Sequence, residues 1–119
     1  MRKGIVAPKS IAFAIRVVGM YKFLSAELRE YVLSKQLLRS GTAVGALIRE
    51  AEHGQSKADF LNKMNIALKE ANESDYWLLL LREGNYLTEI QYQSIQADCD
   101  ELIKLLASIV KSTKMSLGR

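Results

Sequence analysis

The residues able to do chemistry are few. His53 is the only histidine and Cys99 the only cysteine in a chain of 119 residues. A relay that needs a second histidine cannot be built from them. Glu50-Ala51-Glu52-His53 has the Glu-x-x-His spacing of carboxylate-bridged diiron bundles, but such centres use that motif twice, so one copy predicts no metal site. Gly41-Thr42-Ala43-Val44-Gly45 lacks the Gly-Lys-Ser/Thr ending of a phosphate-binding loop. Glu70 and Glu73 share a helix face, with Lys69 and Arg39 or Arg49 available as partners, and a structural salt-bridge network is the expectation. Asn72-Glu73-Ser74 matches a glycosylation acceptor by chance, inside a helical pattern. The sequence therefore predicts no enzyme, no cofactor and no metal.

Cations are the remaining chemical resource. Residues 1–40 carry eight Lys/Arg against Glu27 and Glu30, a net +6 within a chain of overall +4. Residues 41–103 compensate with eleven acidic and five basic residues, and residues 104–119 hold four cations and no acid. Lys9, Arg16, Lys22, Arg29, Lys35 and Arg39 are the candidate phosphate contacts, placed along the first helix and its sequel. Two outcomes are open: a polyanion-binding surface, or pairing of the basic segment with the acidic one inside the fold.

Helices must position these groups. Tyr92, Ile95, Cys99, Leu102, Leu106, Ile109 and Thr113 recur at alternating spacings of 3 and 4, a heptad seam on a helix over about 88–113. Thr88 with Gln91 reads as its capping box, and Gly84-Asn85 as the stop before it. Ser56 with Asp59 starts another helix that runs to about Glu83, with Phe60, Met64, Ala71 and Leu78 on its core face. Upstream, the favoured segmentation is a helix over about 26–53, capped by Ser25, ended by Gly54 and tightly packed at Gly41 and Gly45. The alternative merges 10–39 into one helix with a turn at 40–42. Either way the chain is a single all-α domain over 1–119, an up-and-down antiparallel four-helix bundle.

The leading helix has two apolar stripes. Ile11, Ile15 and Val18 form one, and Phe13, Val17, Met20 and Leu24 the other. One bundle offers one core, so the second stripe predicts self-association, unless both belong to a single wide core-facing surface. A lone cysteine, a missing signal-peptide pattern and a longest unbroken apolar run of only Tyr76–Leu81 predict a cytoplasmic chain with no membrane span.

An ordered series of blocks carries a resemblance: Gln36-Leu37-Leu38-Arg39-Ser40-Gly41-Thr42-Ala43-Val44-Gly45-Ala46, Ile48-Arg49-Glu50-Ala51, Ser56-Lys57-Ala58-Asp59-Phe60, Ile66-Ala67-Leu68-Lys69-Glu70-Ala71 and Tyr76-Trp77-Leu78. From about Ile11 to Lys114 the chain resembles the bacterial four-helix-bundle family, also called the ribosomal RNA intervening-sequence protein family. That resemblance implies homopentameric rings and association with RNA or DNA. Related bundles serve as accessory variability determinants beside a reverse transcriptase, so a reverse transcriptase is an implied partner. A protein-interaction ring without nucleic acid is the alternative.

Overall fold

The computed structural model describes residues 3–119 as four helices: α1 (Lys3–Ala26), α2 (Leu33–Glu52), α3 (Lys57–Glu83) and α4 (Glu89–Ser116). Met1 and Arg2, the latter counted in the basic segment, lie outside the described residues. Neighbours in sequence pack together and α1 closes against α4, giving an up-and-down bundle of 47 × 21 × 21 Å.

The caps of α3 and α4 fall where the sequence puts them. Thr88 accepts from the Gln91 N–H while the Gln91 side chain accepts from the Thr88 N–H, a complete capping box. Ser56 accepts from the Asp59 N–H, but the Asp59 carboxylate turns to the Gln55 N–H instead, so this box is half closed. Asn85, at φ 66°, supplies the left-handed residue that ends α3.

The first half needs correction. Ser25 does not cap α2: its hydroxyl donates to the Tyr21 carbonyl inside α1, which runs to Ala26. Nor is there a turn at 40–42, because α2 is continuous through Gly41. The break lies at 27–32, with Arg29 in the left-handed region at φ 55°. Its organiser is Glu30, a buried carboxylate that accepts from the N–H groups of Val32, Leu33 and Ser34 at 3.1, 2.9 and 2.7 Å. These are orphan donors of the first turn of α2, so Glu30 does from upstream what a Ser or Asp cap would do.

Burial alone would raise the Glu30 pKa; the backbone donors of Leu33, Ser34 and Val32 outweigh it and hold the carboxyl below its ordinary value. A folded pKa below the unfolded one means the stabilisation is complete above the usual carboxylate range and is lost as pH falls through the folded value. Glu30→Ala is expected to cost about 1–3 kcal/mol at pH 7, since it leaves buried donors unpaired. Glu30→Gln should be less stable than wild type at neutral pH, with the gap closing below about pH 4. Urea melts at both pH values check this; an equal gap at pH 7 and pH 3 contradicts it.

Core and helix approach follow the periodicity, shifted by one residue at several places. Leu61 and Val110 are buried where Phe60 and Ile109 were expected, and the latter two are only partly covered. Met64, Leu78, Cys99, Leu102 and Leu106 are core as read. Gly41 is needed for close approach: a Cβ there would lie 2.8 and 2.9 Å from the two methyls of Val17, a stiff β-branched side chain on α1. Ser40 and Ser74, both buried, share a hydrogen bond of 2.8 Å between α2 and α3.

By length and composition Gly4–Ala26 of α1 could cross a membrane, at a mean hydropathy of 1.3. The unbroken-run reading of the sequence overlooked it, because the span is interrupted by Lys9, Arg16 and Lys22. In the fold one flank of α1, Val6, Phe13, Val17 and Leu24, is buried in the bundle.

Candidate nucleic-acid interface

The six candidate cations divide into two groups. Three are engaged by carboxylates. Lys9 Nζ lies 3.0 Å from Glu101, and Arg16 donates to Asp98 at 2.7 Å, to the Ser94 carbonyl at 3.0 Å and to the Ser94 hydroxyl at 2.9 Å. Both tie α1 to α4. Arg39 pairs with Glu70 at 3.2 Å and with Glu73, tying α2 to α3. Its hydrogen bond with Glu73 strengthens its hold on the proton. The Trp77 indole donates to Glu73 at 2.9 Å and, with Arg39, holds that carboxyl below its ordinary value despite partial burial. Exposed pairs of this kind are worth about 0–1 kcal/mol each. Their larger effect is to neutralise three of the six candidate cations by pairing within the fold.

Lys22, Arg29 and Lys35 form the second group. They are exposed, and among the described residues they make no ion pair. Lys22 is in the last turns of α1, Arg29 in the 27–32 connection and Lys35 in the first turn of α2, so all three occupy one end of the bundle. Tyr31 and Val32 of the same connection are also exposed. The only carboxylates of that segment are Glu27 and the inward-turned Glu30. The sequence reading names all six cations as one set; it does not separate these three from Lys9, Arg16 and Arg39, whose partners lie 31 to 92 residues away.

The two stripes of α1 also divide. Phe13, Val17 and Leu24 are at most 1% exposed, whereas Ile11, Ile15 and Val18 are 45%, 67% and 38% exposed. Met20 is partly buried against the core. The open stripe borders a shallow groove of about 470 Å³ whose far side is Thr42, Gly45, Ala46 and Arg49 of α2. The single wide core-facing surface is therefore not what the bundle makes of α1.

The groups read as catalytically bland sit as follows. His53 is exposed and closes α2 through its backbone N–H to the Glu50 carbonyl, 3.2 Å away. Glu50, of the single Glu-x-x-His motif, pairs with Lys63 at 3.1 Å. Cys99 is buried and its thiol donates to the Ala71 carbonyl at 3.3 Å; burial, with Asp75 and two further aspartates, pushes it up to about 12. It is therefore a protonated core thiol at neutral pH.

Among known proteins, the family model of the 23S rRNA-intervening sequence protein matches residues 2–108. A solved structure from Bacteroides thetaiotaomicron, described as a protein with unknown function from the S23 ribosomal protein family, is similar over 93% of this chain and 99% of its own. It shares 58% sequence identity and superposes with a TM-score of 0.91. No curated protein matches the chain.

Proposed function

The chain belongs to the 23S rRNA-intervening sequence protein family, and on that premise we propose that it is a non-enzymatic, cytoplasmic scaffold. Copies of the bundle assemble through the open α1 stripe, as a pentamer by the family resemblance. The assembly then associates with RNA or DNA through repeated basic ends, as an accessory to RNA or reverse-transcriptase machinery. The observation that carries this reading is the coexistence of an uncovered Ile11-Ile15-Val18 face with the unpaired Lys22, Arg29 and Lys35.

The two features depend on each other physically. Three cations per chain give weak binding, and repetition around an assembly multiplies phosphate contacts without any new chemistry. No base-reading helix is involved, so the binding follows charge and shape. The test is the affinity of the purified protein for an RNA stem and a DNA duplex across a salt series. The logarithm of affinity should fall linearly with the logarithm of salt, by about one unit of slope per phosphate contact. A flat response, or no binding at low salt, rejects the nucleic-acid reading.

The pairing of Lys9, Arg16 and Arg39 favours a second reading, a protein-interaction ring without nucleic acid. A partner protein retained after nuclease treatment, together with a flat salt response, would establish it instead.

A further inference from the structure

The α1–α4 seam is the least closely packed of the four helix contacts, and a cleft lies at the end where α1 begins and α4 finishes. Its volume is about 680 Å³, within the range of small-molecule sites. Its apolar wall is Ile5 of α1, Phe60 of α3, and Leu105 and Ile109 of α4. Phe60 and Ile109 fit the core pattern by spacing, and while packed against the core they are only partly buried and also line the opening. The opposite character comes from Ser108, Ser112 and Ser116, which fall at successive turns along one edge of α4.

Among the described residues one charged side chain lines the cleft, Lys57. Its ammonium donates to the Ser116 hydroxyl at 2.7 Å and makes no ion pair among the described residues, so two of its three donors are free for a ligand. No acid follows Glu101 in α4. A cationic head group would therefore meet an ammonium and no compensating carboxylate. A monoanion on an apolar tail matches both walls. From Leu105 to Ser116 the lining runs about 16 Å at 1.5 Å per residue, enough for an extended medium-length chain.

We propose that this cleft binds a single-chain carboxylate amphiphile, with its tail along Phe60, Leu105 and Ile109 and its carboxylate at Lys57. The site is independent of the open α1 stripe and of the cations at the far end, so it stands or falls apart from the scaffold reading.

Calorimetric titration of the full chain with octanoate, decanoate and dodecanoate, each below its micelle concentration, tests the proposal. One molecule per chain should bind, tightening about fifteenfold for each two methylenes buried. Lys57→Gln should weaken decanoate about tenfold while leaving decanol unchanged. Ser112→Trp, at an exposed position on the rim, should block decanoate while the circular dichroism and Tm stay at wild-type values. Absence of saturable binding, affinity independent of chain length, or equal binding of decyltrimethylammonium would overturn it. Binding seen only with anionic phospholipid vesicles would overturn it in favour of a lipid surface. Should Ser112→Trp break the native assembly and leave decanoate binding intact, the cleft is a contact between copies and the proposal fails.

Discussion

Phe13→Ala should lower the unfolding free energy by about 3–5 kcal/mol, whereas Ile15→Ala, two positions along the same helix, should change the stability of the single bundle by less than about 0.5 kcal/mol. Phe13 is 1% exposed and fills the space between α1 and its neighbours, so truncation removes transfer free energy and leaves a cavity. Ile15 is 67% exposed and has little surface to return to water within one chain. Urea denaturation read by Trp77 fluorescence, at concentrations low enough to keep chains apart, measures both. At higher protein concentration the order of importance changes. Ile15→Glu should then abolish association, because it sets a carboxylate in the middle of the apolar face that copies would cover. Equal destabilisation by Phe13→Ala and Ile15→Ala would mean that both flanks of α1 are covered within the single bundle.

Reversing the three free cations should have the second large effect. The combined Lys22→Glu, Arg29→Glu, Lys35→Glu protein is expected to lose at least about three units of the log–log salt slope for RNA, because each phosphate contact contributes about one unit and a ring repeats the loss. Affinity at low salt should drop by orders of magnitude. The matched control reverses Lys9, Arg16 and Arg39, which already face Glu101, Asp98, Glu70 and Glu73. Its folding should suffer by more than the about 0–1 kcal/mol of each lost pair, since reversal also sets like charges side by side, and its salt slope should move little. If the control loses RNA as completely as the first protein, the paired cations contribute to binding and the division between the two groups is wrong. Since three free cations per chain are few, the slope of the wild-type protein also reports how many chains act together.

What the sequence discloses of this fold depends on how local the deciding interaction is. Thr88 with Gln91, and Ser56 ahead of Asp59, mark helix starts because the cap and its target lie three residues apart. The start of α2 stayed hidden because its cap is Glu30, a residue type read as surface charge, placed upstream of donors in a segment whose apolar spacing never breaks. Ser25 looked like a cap by type, but a serine hydroxyl can equally return to a carbonyl one turn back, as it does on Tyr21. Gly41 and Gly45 were readable as sites of close approach, and Val17 and Ser10 are the side chains they admit.

Periodicity gave the faces of the helices but not their depth. Phe60 and Ile109 lie on the correct sides of α3 and α4 and still end up lining a cleft, because how far the α1–α4 seam opens is set by all four helices at once. The charge reading had the same limitation. An excess of cations in residues 1–40 is plain in the sequence, but which of them meet the acids of α3 and α4 is settled by the antiparallel register. The two stripes of α1 were legible as two because the spacings of Ile11-Ile15-Val18 and Phe13-Val17-Leu24 are independent, and the bundle buries one of them.

The proposed scaffold turns on whether the uncovered face of α1 is covered by another copy. Sedimentation equilibrium of the purified wild-type chain at micromolar concentration, beside Ile15→Glu, measures this directly. The account predicts a stable multiple of the 13.4 kDa chain for wild type and a folded 13.4 kDa species for the variant. A wild-type protein that sediments at the mass of one chain at every concentration tested would contradict it.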